Sequence, residues 1–157
     1  MIENYLQVLE QSLYKKADIL SRIQEINHSQ EQILKEKGAA EDFDATIDEK
    51  GRLIEELTKL DEGFETLYQH IQDQLAAGKE QYKNQISILQ QLIIKVTEQS
   101  VAIQTQEARN NKLAKDYFTI ERKSLQRNRT TSKAALDYYK NMNNSRVVQP
   151  QFMDKKK

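Results

Sequence analysis

Cysteine and tryptophan are absent, proline occurs once, at Pro150, and glycine only four times in 157 residues. Without cysteine there is no disulfide framework, no thiolate metal site and no cysteine nucleophile. Sandwiches, barrels and doubly wound sheets need many turns, and turns draw on glycine and proline. So few breakers point to a few long helices. Apolar residues make up 38% of the chain and charged residues 31%, which suits an elongated bundle better than a compact globule with a large interior. No apolar run exceeds three residues, as in Leu92-Ile93-Ile94, whereas a membrane-spanning helix needs about 20. The start, Met1-Ile2-Glu3-Asn4-Tyr5, carries an early acid and no hydrophobic stretch, and reads as no secretory leader. These features suit a cytoplasmic protein.

Charge is balanced overall, with 24 basic and 24 acidic residues, but it is unevenly spread. Residues 38–78 hold 3 basic and 11 acidic residues, a net −8, and residues 122–157 hold 10 and 2, a net +8. Such asymmetry suits an interaction tail or internal docking of one end on the middle.

Apolar residues at Ile2, Leu6, Leu9, Leu13, Ala17 and Leu20 recur at helical steps of three and four. A second line runs through Ile19, Ile23, Ile26, Ile33 and Leu34, with Gln30 filling its gap. Lys35, Lys37 and then Gly38 form a helix C-terminus signature, so the first helix is expected over 2–37. Residues 38–43 read as a connector. Asp42, Asp44 and Thr46 are candidate N-caps, with Thr46-Ile47-Asp48-Glu49 matching the capping-box pattern. A second helix over 44–77 follows Ile47, Ile54, Leu57, Leu60, Phe64, Leu67, Ile71 and Leu75, with Gly51 and Gly63 tolerated on its exposed face. Gly78 is expected to be a turn, because an unbroken helix over 44–121 would be roughly 115 Å long and could not fold back. The third helix, over 79–121, runs through Tyr82, Ile86, Leu89, Ile93, Val96, Ile103, Leu113 and Tyr117. Its seam turns polar at Ser100, Glu107 and Asn110, which suits register fixing inside a bundle.

Residues 122–133 are basic and poor in apolar side chains. Ala134-Ala135-Leu136-Asp137-Tyr138-Tyr139 then resumes a short helical pattern, with Ser132 as its cap. The remainder, through Val147, Val148 and Phe152, reads as a flexible tail. The expected architecture is therefore all-α: an elongated antiparallel bundle of three long helices over 1–121, then a basic connector, short helix and tail over 122–157.

Candidate chemistry is sparse. Glu25 and His28 have the spacing of a di-iron helix motif, but that chemistry needs a second such pair and two further glutamates. His70 is the one other histidine. Paired acids such as Glu55-Glu56 and Asp61-Glu62 suit a solvated face better than acid–base work, which needs a cleft. No two glycines lie closer than twelve residues, so no phosphate-cradling loop is present. The sequence argues against an enzyme and calls for no cofactor or metal. The 122–133 stretch could bind nucleic-acid phosphates, but aromatics flank it rather than interleave it and the acidic second helix would repel a polyanion. The spare apolar residues Leu136, Tyr138, Tyr139, Val147, Val148 and Phe152 either pack on the outside of the bundle or form a docking segment for a partner.

Four stretches carry a resemblance. They are Asn4-Tyr5-Leu6-Gln7-Val8-Leu9-Glu10; Lys50, Leu53, Ile54, Leu57, Leu60 and Asp61 in the second helix; Gln104 to Leu113 in the third; and the end, Gln151-Phe152-Met153-Asp154 with three lysines. Together they resemble flagellar export chaperones of the FlgN type, with the related FliT type as the near alternative. The resemblance implies a cytoplasmic, non-catalytic helical protein that holds a late flagellar subunit, a hook–filament junction or filament cap protein, by its amphipathic terminal helix and delivers it to the export apparatus. It further implies client contacts at Tyr117, Phe118, Ile120, Leu136, Tyr138 and Tyr139. The alternative from a different class is a structural coiled-coil adaptor, a symmetric homodimer through the seam with no export role.

Overall fold

The computed structural model describes residues 2–118, 133–140 and 142. It is all-α: α1 (Ile2–Lys35), α2 (Ala40–Ala77), α3 (Lys83–Tyr117) and a short α4 (133–140). The basic connector over 122–132 and the tail beyond 142 lie outside the described residues. At 1.5 Å per residue the three long helices are each roughly 50–57 Å in length.

The apolar line of α1 is its core face. Ile2, Leu6, Leu9, Leu13, Ala17, Leu20 and Ile23 are all buried, and Asn27, Gln30 and Leu34 continue the same face. Contacts between helices give their directions. Gln99 meets Ala17 and Ser21, Gln106 meets Gln24, and Asn110 meets Asn27, so α3 runs parallel to α1. Asp61 meets Lys16 while Thr46 meets Gln30, so α2 runs antiparallel. The backbone of α1 approaches both α2 and α3 closely, whereas α2 and α3 have no close backbone approach to each other. They stand apart as two walls over α1. The main core lies along this arrangement, and Ala135, Tyr139 and Met142 belong to it. Ala135 and Tyr139 of α4 thus insert into the bundle, while Leu136 and Tyr138 are half-buried.

The helix ends differ from expectation in three places. First, α1 stops at Lys35, and Lys37, not Gly38, takes the left-handed conformation, with φ 54°. The Gly38 N–H donates to the Ile33 carbonyl at 2.9 Å, and a Cβ on Gly38 would come within 3.3 Å of the Ile33 side chain. Glycine serves there for close approach. Second, α2 begins at Ala40, four residues earlier than its sequence suggests. Its N-cap is Ala39, with no side-chain cap, and neither Asp42, Asp44 nor Thr46 fills that role. Beginning early puts Phe43 on the helix, where it is fully buried against Phe118 with ring centroids 4.8 Å apart. Glu41 and Asp42 fall in the first turn, where the helix dipole favours acids. The Thr46 hydroxyl donates instead to the Phe43 carbonyl at 2.5 Å. Third, α3 begins at Lys83 and ends at Tyr117, with Gly78 to Tyr82 as a turn. A Cβ on Gly78 would meet the Tyr82 ring at 3.0 Å, so the turn closes over a bare backbone. No Cβ neighbour lies within 4 Å at Gly51 or Gly63, as their tolerance in α2 requires. Among the described residues no helix is long and apolar enough to cross a membrane.

Candidate functional site

Two features sit in the space between α2 and α3. The first is a buried polar layer. Lys50 of α2, 1% exposed, donates to Glu107 Oε1 of α3 at 2.7 Å, and Glu107 is fully buried. The Lys50 ammonium also donates to Gln30 Oε1 at 3.2 Å. Asn110 Nδ2 donates to the same oxygen at 3.0 Å and to the Asn27 carbonyl at 2.9 Å. Gln30 Nε2 donates in turn to the Thr46 hydroxyl at 3.0 Å. All three long helices are thereby tied in one register. The polar seam positions Ser100, Glu107 and Asn110 are buried, as their sequence places them. Lys50 is a residue that sequence reading missed. Its signal was a lysine between Ile47 and Ile54 on the apolar stripe of α2, with an acid on the facing seam.

The second feature is a groove. Its floor is Leu13 and Lys16 of α1, and its walls are Ile54, Asp61, Phe64 and Tyr68 of α2 and Ile93 and Val96 of α3. A cavity of about 1170 Å³ lies there, bordered by Ala134, Tyr138 and Met142. Thus α4 lies along the groove and closes one side of the cavity. The Tyr138 hydroxyl donates to Asp61 Oδ2 at 2.6 Å, while Lys16 donates to Asp61 Oδ1 at 2.6 Å. Tyr139 is fully buried and within electrostatic reach of Glu107. Among the described residues, neither the Tyr139 hydroxyl nor Glu107 Oε2 has a hydrogen-bond partner. Burial, and then the Asp61 carboxylate, push the Tyr138 phenol far above its ordinary range. Burial, followed by Glu107, does the same to Tyr139. Tyr68 is raised by burial and by Glu65. All three phenols are therefore neutral donors at physiological pH.

The expected contact residues divide into two places. Tyr138 borders the groove, Tyr139 is buried in the main core, and Leu136 is half-buried on the same short helix. Tyr117 and Phe118 belong to a separate cluster with Leu34, Phe43, Ile47 and Ala114, where the Tyr117 hydroxyl donates to the Gly38 carbonyl. That cluster ties the end of α3 to the α1–α2 connection. Ile120, Val147, Val148 and Phe152 lie outside the described residues.

Glu25 and His28 are exposed on α1. His70 is exposed on α2, edge-on to Tyr5 at 5.8 Å. Glu55, Glu56 and Glu62 face solvent. Among the described residues no three histidines or acids are grouped to hold a metal. The arrangement has the chemistry of recognition: a groove lined by both apolar and polar side chains with one paired carboxylate on its wall. Comparison of the chain with protein-family models, with curated proteins and with solved structures finds no match.

Proposed function

We propose that this chain is a non-catalytic helix-binding chaperone of the flagellar export type, FlgN-like or FliT-like, acting in the cytoplasm. Its client would be a hook–filament junction or filament cap protein, held by an amphipathic terminal helix and handed to the export apparatus. The observation that carries this reading is the groove between α2 and α3. Its walls are held apart, it already accepts one short helix, and a cavity with Ile54, Phe64, Ile93 and Val96 in its lining lies beside that helix. A client helix entering it buries apolar surface at about 25 cal/mol per Å². The resemblance of the sequence supplies the flagellar assignment.

The test is binding of the purified full chain to purified junction and cap proteins, followed by sedimentation. A one-to-one complex with one of them, lost when that client's terminal helix is deleted and altered when residues 134–157 of this chain are deleted, is expected. Self-association alone, with no client bound, would favour the scaffold reading. That reading draws on Ile94 and Val101, which are 59% and 50% exposed and one heptad apart on α3.

A further inference from the structure

In the groove, α4 displays what a bound helix must present. Ala135, Tyr139 and Met142, at positions i, i+4 and i+7, are buried in the core. Tyr138, at i+3, brings a hydroxyl to Asp61. Lys133 and Lys140 are exposed at either end of α4, and the groove lining includes the acids Asp61, Glu62 and Glu65. Asp61 is held from below by Lys16 of α1, so its position does not depend on α4. Its side chain is 33% exposed even with α4 in place. An apolar side chain over Asp61 Oδ2 would shed its water and return no hydrogen bond.

We propose that Asp61 is a specificity-determining residue: the groove selects a partner helix that is flanked by basic residues, apolar at i, i+4 and i+7, and carries a hydrogen-bond donor, tyrosine or lysine, at i+3. This deepens the proposed function and rests on it. Lys16 fixes one carboxylate oxygen and leaves the other to read the incoming side chain. A helix with Phe or Leu at i+3 keeps its apolar contacts and loses the charge-assisted bond. At a partly exposed carboxylate that loss is about tenfold in affinity.

The test uses the full-length chain with Tyr139→Asp, which sets a carboxylate against Glu107 and drives α4 out; hydrogen exchange over 133–140 verifies the release. The probes are labelled synthetic peptides of residues 132–146 with tyrosine, lysine or phenylalanine at position 138. The tyrosine and lysine peptides are expected to bind about tenfold more tightly than the phenylalanine peptide. Adding Asp61→Ala to the chain should abolish that difference. Equal binding of all three overturns the Asp61 rule and leaves the groove standing. No binding by any of them overturns both this inference and the proposed function. A complex containing two chains would show that a second copy occupies the groove, and overturns the partner rule. The intact chain gives an independent measurement. Tyr138→Phe and Asp61→Ala should each raise exchange over 133–140 about tenfold, and together no further. Additive effects would mean that the two residues act separately.

Discussion

Replacing Lys50 with methionine isolates the buried charge of Glu107. The carboxylate is fully buried, its Oε1 is 2.7 Å from the ammonium, and its Oε2 lacks a partner among the described residues. Left charged, it would cost several kcal/mol. Lys50→Met should therefore lose about 3–5 kcal/mol, roughly 10 °C in melting temperature for a chain of this size. The double variant Lys50→Met/Glu107→Leu removes both charges and should recover to within about 2 kcal/mol of the parent. Gln30 Oε1 still accepts from Asn110 at 3.0 Å in that background. Urea unfolding followed by circular dichroism reads both variants. A Lys50→Met penalty below about 1 kcal/mol, or a double variant no more stable than Lys50→Met alone, would refute the reasoning.

Other outcomes follow from single contacts. Tyr138 and Tyr139 have folded pKa values raised by burial, so docking of α4 is intact below the ordinary tyrosine range and weakens above it. By about pH 11 two such phenols, ionised only when released, weaken docking by about 3 kcal/mol; hydrogen exchange over 133–140 should rise steeply there, and unchanged protection would contradict the burial argument. Lys37→Gly relieves a left-handed non-glycine residue at the end of α1 and should stabilise the chain by about 0.5–1 kcal/mol in chemical denaturation. Gly51→Ala and Gly63→Ala add a methyl group into open space within α2, and each should raise stability by up to about 1 kcal/mol; a loss at either position would reveal a contact that the helix face does not show.

Much of the fold was legible because the helices are long. Over about nine turns of α1, a stripe spaced by three and four residues has one solution, and Ile2 through Ile23 bury as the pattern requires. The polar seam was legible for the same reason: Ser100, Glu107 and Asn110 fall on the apolar line of α3, so whatever they do happens inside. What sequence could not give were facts about partners. Lys50 is buried because Glu107, 57 residues away, faces it. The start of α2 was misplaced because acids that resemble caps serve the dipole of the first turn instead, while Phe43 draws the helix back to Ala40 through a contact with Phe118. The groove belongs to the same class. Nothing local to α2 or α3 says that they stand apart, and only α1 packed against both does.

Whether a partner can displace α4 depends on helix length. A helix as short as α4 is not stable by itself in water, so 133–140 is helical because the groove holds it. Tethering gives α4 an effective concentration of order 1 mM, against about 1 µM for a partner, a handicap of about 4 kcal/mol for the partner. A partner helix of the same length and contacts as α4 cannot overcome that. A longer one that also fills the cavity beside α4 can set two further apolar side chains against a lining that includes Phe64, Ile93 and Val96. At about 1.5–3 kcal/mol for each buried side chain, the gain is about 3–6 kcal/mol, which exceeds the tether over most of that range. Of two peptides lengthened by one heptad, one at each end of the α4 sequence, at least one should therefore displace α4 from the intact chain, while a peptide spanning only the equivalents of Lys133 to Met142 should not. Fluorescence anisotropy against the unmodified chain distinguishes them. Equal displacement by all three would mean that the cavity beside α4 contributes nothing to recognition.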